Sequence, residues 1–507
     1  MDIQKKEVSV NLPVAGFQSS AVIDSDAIVS DSKPDLLRIL HIDPTVRILK
    51  TEIMSGKMMV AGHISYCVLY QPENAEGVHC LNTTADFSHL EENPAFTEGM
   101  YCRVSAAVEH IEPELINSRK IKIKSVLSFD INVDDAQNVM LPLDISGDNI
   151  QTKYCDFGGF SRVLQKRDII TVSDSLPLPA GKANIGSLLK TDALLCNKDI
   201  KVISGKVIIK GDIITNCMYV PEGTCSVDCC SHTMPFTEIL DAEGLTEDHL
   251  CRVMAEVEEC DFSLATDPDG DVRVINASVR VGVRICADMP MSERVITDVY
   301  SLTDNLDVKY NSLNLKRPVS STNFDYTLKT SVRPERISSV YNVNGTPNIT
   351  MTTAKDSCIA LEGYIDLSCL CITADKNCPV INHTEEVPFK IEAQVEGCKS
   401  GMEVDTQLEI NSIMCNLSPS GEIELKIVLS CYTRVLENAE TDIVESIEYC
   451  GVLEGKSPSI VLYFVQKGDT LWDIAKRYHT KQEYIQDLNR ESANPLECGS
   501  QLLIPRG

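Results

Sequence analysis

Hydrophobic and polar residues alternate along several stretches of the chain. In KIKIKSVLSFDINV, which ends at Val133, apolar residues occupy one side and mostly charged or polar residues the other. The apolar side consists of Ile121, Ile123, Leu127, Phe129, Ile131 and Val133. A period of two residues is the pattern of a β-strand with one buried face. We therefore predict a long strand that packs on a core.

The same alternation returns twice further along the chain. Its apolar positions are Val279, Val281, Val283 and Ile285 in one stretch, and Ile423, Leu425, Ile427 and Leu429 in the other. Turn-forming residues precede each stretch: Asn117-Ser118, DPDGD from Asp267, and SPSG from Ser418. Strands that follow tight turns are typical of antiparallel sheets.

These strands belong to an internal repeat. The segment MSGKMMVAGHISYCVLYQ aligns with ISGKVIIKGDIITNCMYV when Gly62 is placed on Gly211, an offset of 149 residues. The alignment continues without a gap through Phe87 and Phe236. A third, more divergent copy has Gly363 and Phe389 at these positions.

A glycine inside a strand indicates a bulge or a close backbone contact. We predict three tandem antiparallel β domains at 1–150, 151–310 and 311–455, each a sandwich or a barrel-like sheet.

From Val461 the pattern changes to that of a small α+β unit at 458–507. VLYFV is a short strand and QKGD a turn, and Thr470 with Asp473 predicts a capped helix start. The next helical face contains Leu471, Ile474, Ala475 and Tyr478. Thr480 with Glu483 predicts a second capping box, Asn489 a helix end, and QLLIP a last strand, which gives the order β-α-α-β.

The charge is strongly negative and unevenly placed. The 507 residues carry a formal charge of −28, which argues against nucleic acid and anionic membranes as partners. Residues 459–507 contain six basic and six acidic groups, so their net charge is zero and the whole negative charge lies upstream.

The compartment is inferred from the N-terminus and the cysteines. MDIQKKEVSVNLPVAG has no apolar segment of a secretory signal, and no stretch reaches about 18 apolar residues. We therefore expect a cytoplasmic protein without a membrane span, in which the 21 cysteines are reduced thiols.

Several apparent chemical motifs do not have the required spacing. DPDGD resembles a calcium loop, but Gly270 stands at position 4 rather than 6, so we predict a hairpin turn. The clusters Cys225, Cys229, Cys230, His232 and Cys369, Cys371, Cys378, His383 do not have paired C-x-x-C spacing. We predict no enzyme activity, no metal and no cofactor.

The C-terminal unit resembles a LysM domain, through KGDTLWDIA, Thr480, Ile485, Leu488-Asn489 and the final Gly499, Leu502, Ile504 and Pro505. The resemblance implies a shallow binding groove for either N-acetylglucosamine-containing glycans or a protein partner, formed by Gly468, Asp469, Thr470, Leu471, Asn494, Pro495 and Leu496. Trp472, the single tryptophan, is interpreted as a core residue, with a ligand platform as the alternative.

Acidic β repeats followed by such a domain resemble the SPOCS-repeat proteins of spore-forming Firmicutes. That resemblance implies a spore-coat assembly scaffold of the mother cell, located at the forespore surface. Its LysM partner would be the coat-basement ATPase, SpoIVA, together with other coat proteins. The alternative is a wall-associated protein that binds peptidoglycan or chitin.

Overall fold

The computed structural model describes residues 3–147, 149–453, 459–489 and 496–505. Up to Val452, a series of six strands occurs three times. The first series is β1 (Ile3–Ile28), β2 (Leu36–Met54), β3 (Lys57–Pro72), β4 (His79–Glu92), β5 (Tyr101–Asn117) and β6 (Lys120–Ile145). The second is β7 (Ile150–Pro177), β8 (Ile185–Ile203), β9 (Lys206–Pro221), β10 (Asp228–Asp241), β11 (Leu250–Thr266) and β12 (Val272–Ser301). The third is β13 (Asp304–Val332), β14 (Ile337–Lys355), β15 (Cys358–Thr373), β16 (Val380–Gln394), β17 (Glu403–Leu417) and β18 (Ile423–Val452).

Each series forms two antiparallel sheets of three strands. In the first repeat, β6 lies between β1 and β5, and β3 lies between β2 and β4. The other repeats have the same order, with β12 and β18 in the place of β6, and β9 and β15 in the place of β3. Side chains from both sheets enter one core, so each repeat is a sandwich. The predicted fold class is confirmed, while the predicted domain limits stay a prediction.

The alternating pattern of the central strands produces this core. All six apolar positions predicted for β6 are buried, as are the corresponding positions of β12 and β18. Ser125 lies on the same buried side of β6, and its hydroxyl is 2.8 Å from the hydroxyl of Tyr66. Each hydroxyl therefore satisfies the other inside the apolar core.

The glycine in the middle of β3, β9 and β15 has both of the predicted explanations. Each lies directly opposite a phenylalanine on the next strand, as Gly62 lies opposite Phe87. The strand on its other side is bulged there, between Ile48 and Lys50 in the first repeat. A Cβ on Gly62 would be 2.1 Å from the carbonyl oxygen of Arg47 and 2.8 Å from the Phe87 ring. Only glycine fits between the bulge and the ring.

The three repeats meet through strands that continue beyond their sandwiches. β5 begins with Tyr101 opposite Asp134, and beyond that point β6 continues to Ile145 with β1 as its only partner. The other repeats form the same two-stranded extension from β7 with β12 and from β13 with β18. One apolar cluster joins all three extensions, and it contains Val10, Val139, Leu141, Phe157, Val295, Leu313 and Ile443.

A second apolar cluster joins the sandwiches themselves. It includes Leu69, Met218 and Leu370, which occupy equivalent positions because their spacings are 149 and 152 residues. The repeats are therefore arranged around a common axis with approximate three-fold symmetry. The C-terminal unit follows as β19 (Ile460–Phe464), α1 (Leu471–Arg477), α2 (Gln482–Leu488) and β20 (Gln501–Pro505), which confirms the predicted order.

Replacing Gly62 by alanine should destabilise the first repeat. The new methyl group would collide with a backbone carbonyl that is fixed by the sheet, and overpacking of this kind costs about 1–3 kcal/mol. Chemical denaturation of Gly62→Ala should therefore show a lower unfolding midpoint. The control is Gly16→Ala in β1, where the nearest atom, Oδ1 of Asn132, is 3.3 Å away and belongs to a movable side chain. Equal midpoints for the two variants would contradict this account of Gly62.

Candidate binding site in the C-terminal domain

The first helix of the C-terminal domain starts with the predicted capping box. The backbone N–H of Asp473 donates to Oγ1 of Thr470 at 3.2 Å. In return, the N–H of Thr470 donates to Oδ2 of Asp473 at 3.3 Å. These bonds satisfy two N–H groups at the helix start and fix the loop that precedes it.

Asp469 has a structural role in the same loop. Its Oδ2 accepts the hydroxyl of Tyr463 at 2.6 Å and the N–H of Gln466 at 2.8 Å. The hydrogen bond from Tyr463 holds the pKa of Asp469 below its usual value. Gly468 adopts a φ of +95°, and the space beside its Cα is open. This carboxylate therefore shapes the turn in which the predicted groove begins.

The predicted groove residues differ in exposure. Gly468 and Thr470 are exposed, whereas Leu471 and Leu496 are half-buried and pack against the domain core. Asn494 and Pro495 lie outside the described residues. The loop 468–471 thus offers exposed backbone next to apolar side chains, and the groove as a whole stays a prediction.

The predicted second capping box is wrong. Helix α2 has Lys481 at its N-cap, without a side-chain cap, and the hydroxyl of Thr480 is buried without a hydrogen-bond partner in the structure. The prediction of Asn489 as the helix end is confirmed. Its amide also joins α2 to β20, because Nδ2 donates to the carbonyl of Leu503 at 2.7 Å and Oδ1 accepts the N–H of Leu503 at 2.8 Å.

Trp472 lies in the core, as predicted, with only 7% of its surface exposed. It packs in a cluster with Ile474, Ala475, Ile485, Leu502 and Ile504. The same cluster includes Tyr300 from the end of β12, whose ring meets the Trp472 ring edge-on at 5.0 Å between centroids. The tryptophan therefore belongs to a boundary between the C-terminal domain and the second repeat, which the sequence did not indicate.

Asp298 on β12 is the polar centre of this boundary. Its Oδ2 accepts the indole N–H of Trp472 at 2.6 Å. Its Oδ1 accepts Nζ of Lys476 and the hydroxyl of Tyr310, both at 2.6 Å. Burial alone would raise the pKa of Asp298, but the hydrogen bonds from Lys476, Tyr310 and Trp472 outweigh it and lower the pKa.

Two further hydrogen bonds fix the orientation of the domain. The buried hydroxyl of Tyr300 donates to the carbonyl of Thr480 at 2.7 Å. Nδ1 of His479 donates to the carbonyl of Ser301 at 2.8 Å. Both bonds join the turn between α1 and α2 to the last residues of β12. The domain is therefore docked at the end of the strand bundle, by which we mean the three two-stranded extensions that pack together.

The opposite side of the domain exposes apolar side chains. In the two-stranded antiparallel sheet of β19 and β20, the side chains that point towards the helices are Val461, Tyr463, Leu502 and Ile504. The alternate positions Ile460, Leu462, Phe464 and Leu503 point outwards, with exposures between 40% and 55%. Leu462 lies directly opposite Leu503 in the pair of strands, so these residues form one patch. We call these four residues the outer sheet face.

The other groups considered as chemical sites have structural contacts. Oδ1 of Asp267 accepts the N–H groups of Asp269 and Asp271, each at 3.0 Å, which confirms a hairpin turn. In the described part of the chain, no group of histidine, cysteine and acidic side chains is placed to hold a metal ion. All 21 cysteines are unpaired.

One histidine cluster has a composition that resembles a catalytic triad. Ser19 and Glu91 both contact His89, but both contacts are made to the same ring nitrogen, Nε2. A triad needs the two ring nitrogens to serve different partners. This cluster therefore lacks the geometry for nucleophile activation.

Three similar sandwiches with a docked βααβ domain define a modular binding protein. Family models agree with this class: the model described as "SipL, SPOCS domain" matches residues 35–116, 184–265 and 336–418, and the LysM domain model matches residues 463–505. The chain belongs to the proteins that combine SPOCS repeats with a C-terminal LysM domain. No curated protein and no solved structure matches it significantly.

The SPOCS family model matches only part of each repeat. Each SPOCS match covers the second to fifth strands of a repeat, so the long first and sixth strands lie outside it.

Both helices in the described ranges contain seven residues, well below the ~20 needed to cross a bilayer.

Substituting Asp298 by asparagine should loosen the docked LysM domain. The change removes the charge that pairs with Lys476, and the fluorescence of Trp472, the single tryptophan, reports the boundary directly. We expect a shifted emission maximum for Asp298→Asn and an unchanged spectrum for Asp307→Asn, which alters an exposed carboxylate on β13. If both spectra equal that of the unsubstituted protein, Asp298 does not hold the domain.

The same contact should depend on pH. Because docking lowers the pKa of Asp298, docking is fully favoured above the pKa of a free aspartate, about 4, and weakens as the pH falls through the lowered value. Trp472 emission should therefore change below about pH 4 in the unsubstituted protein. In Asp298→Asn this acid-induced change should be smaller, and an equal change in both would contradict the assignment.

Proposed function

We propose that this protein is a non-enzymatic scaffold for spore-coat assembly that docks through its LysM domain to a SpoIVA-like coat-basement ATPase. SPOCS and LysM domains are non-catalytic binding domains, and together they fit a sporulation-related protein with a domain of the wall-binding type. In this proposal, the acidic repeats contact other coat proteins, and the LysM domain attaches the molecule at the forespore surface.

The observation that supports a protein partner is the outer sheet face. Contiguous exposed apolar side chains are typical of protein contact surfaces, whereas sites for small ligands are concave and contain placed polar groups. Docking through Trp472 uses the opposite side of the domain and leaves this face exposed. A protein that covers Leu462 and Phe464 would bury apolar surface without disturbing the contact with Asp298.

The charge distribution supports the same assignment. The body of the chain carries the whole formal charge of −28, whereas residues 459–507 are neutral. An acidic partner would be repelled by the repeats but not by the LysM domain, so this domain is the favourable point of approach. The 21 unpaired cysteines fit a reducing compartment such as the mother-cell cytoplasm.

The alternative function is binding of peptidoglycan or chitin at the predicted groove. The match to the LysM model supports glycan binding in general. The exposed backbone at Gly468 and Thr470, beside half-buried Leu471, also suits a sugar with an N-acetyl group. The two candidate ligands would use different sides of the domain, which makes them separable by substitution.

Leu462→Asp should lower the affinity for the purified coat-basement ATPase by about tenfold or more, because it places a charge in the buried centre of the proposed contact. Leu471→Ala should weaken peptidoglycan binding instead. Both are measured with the full-length protein, by surface plasmon resonance for the ATPase and by sedimentation with insoluble peptidoglycan for the glycan.

Leu488→Asp is the matched control, since Leu488 is about as exposed as Leu462 but lies on α2, away from the outer sheet face. Circular dichroism of each variant confirms that the domain is folded. A protein that sediments with peptidoglycan and shows no binding to the ATPase would refute the scaffold proposal.

A further inference from the structure

A cavity of about 490 Å³ lies where the three sandwiches diverge from the strand bundle. Residues of all three repeats line it, from β1 and β5, from β7 and β11, and from β13 and β17. Its volume is within the usual range for small-molecule sites. It is distant in sequence from the LysM domain, whose residues do not contribute to its described lining.

The lining of this cavity is rich in cationic side chains. They are Arg103, Arg162, Arg252, Arg284, Lys316 and Arg434. Four acidic residues also line it, so the local balance is six minus four, or +2, in a chain whose formal charge is −28. A positive cavity inside a strongly acidic protein attracts anions selectively.

Part of this charge is neutralised by ion pairs within the cavity. Nη2 of Arg434 is 2.6 Å from Oδ2 of Asp405, and Nη1 is 3.4 Å from Asp288. Arg162 also pairs with Asp288. Lys316 also pairs with Glu403, and Arg284 pairs with Glu256, which lies outside the lining. With Glu256 included, the balance is six minus five, so one positive charge is in excess.

Arg252 is the least satisfied of these groups. Its side chain is only 10% exposed, and its buried Nη2 forms an ion pair with Asp405 at 3.5 Å but no hydrogen bond to any of the described residues. Burial, with the charges of Arg434 and Arg103, lowers the pKa of Arg252 despite the opposing effect of Asp405. A buried guanidinium N–H without an acceptor is costly, and an anionic oxygen would remove that cost.

A second unsatisfied atom lines the same cavity. Nδ2 of Asn11 donates to Oδ1 of Asp288 at 3.3 Å, but Oδ1 of Asn11 is buried without a partner in the structure. The cavity therefore presents both a free donor, at Arg252, and a free acceptor, at Asn11. Hydrogen phosphate can satisfy both, because it carries anionic oxygens together with one O–H group.

We propose that this cavity binds a small phosphate-class oxyanion that keeps an O–H group, namely hydrogen phosphate, between guanidinium groups of the three repeats. Arg103 comes from the first repeat, Arg162 and Arg252 from the second, and Arg434 from the third. Guanidinium groups match phosphate oxygens through paired hydrogen bonds. Such a ligand joins the three repeats and stabilises their arrangement around the axis.

The test uses the full-length protein with inorganic phosphate near neutral pH, followed by isothermal titration calorimetry and thermal unfolding. At constant ionic strength, phosphate should bind saturably at one site and raise the unfolding temperature, since a ligand of the folded state stabilises it. Sulfate has similar size but no O–H group, so it should bind at least about tenfold more weakly. Citrate provides the comparison with a hydroxylated polycarboxylate.

Arg252→Gln should lower phosphate affinity about tenfold, the effect of one lost charged hydrogen bond. Arg103→Gln should have the same direction, and because Arg103 is exposed it keeps the test valid if Arg252→Gln fails to fold. Arg333→Gln, an exposed substitution outside the cavity, is the control and should bind as the unsubstituted protein.

Three results would overturn the proposal. They are no saturable heat with phosphate at constant ionic strength, equal affinity for phosphate and sulfate, or unchanged phosphate affinity in the folded cavity variants. Tighter binding of citrate than of phosphate would assign the cavity to carboxylates and would also refute the phosphate class.

Discussion

The structure depends on strands that are longer than their own sandwiches can bury. The first and last strands of each repeat contain 26 to 30 residues, several times the usual length of about five or six. Beyond the fifth strand, each pair continues as a two-stranded ribbon, and such a ribbon is marginally stable alone. Packing of the three ribbons against one another supplies the missing core, with side chains such as Val10, Phe157 and Leu313 meeting at the axis. The repeats are therefore tied into one body, unlike the independent units of a flexible chain.

This shared bundle also explains the position of the LysM domain. Its end presents Asp298, Tyr300 and the carbonyl of Ser301, and the domain meets all three with α1 and the following turn. Trp472 thereby stabilises the small core of the domain and its attachment at the same time. A LysM domain held in this way has a fixed orientation, so a partner that binds its outer sheet face is placed at a defined distance from the acidic repeats. This is the physical basis of the proposed scaffold role.

The opposite end of the bundle creates a different environment. Where the three sandwiches meet the bundle, arginines and aspartates from all three repeats line the cavity. Asp405 keeps its charge there, because the effect of Arg434, Arg252 and Arg103 outweighs burial and lowers its pKa to about 2. Two features at opposite ends of one bundle, the docked domain and the charged cavity, thus follow from the way the ribbons pack.

The sequence by itself determined the local structure. Period-two alternation located the central strands, the equivalent Gly62 and Gly211 identified the repeats, and Thr470 with Asp473 marked the start of α1, because each pattern reports burial or bonding between near neighbours. The capping box predicted from Thr480 and Glu483 is wrong, because two suitable residue types at this spacing do not fix the conformation of the turn between α1 and α2. Tertiary structure alone decided that Trp472 meets Asp298, 174 residues away, and that Arg252 and Asn11 line one cavity between the three repeats. Alternation gives the side of a strand that is buried but not the surface that buries it, and only the packing of the ribbons supplies that.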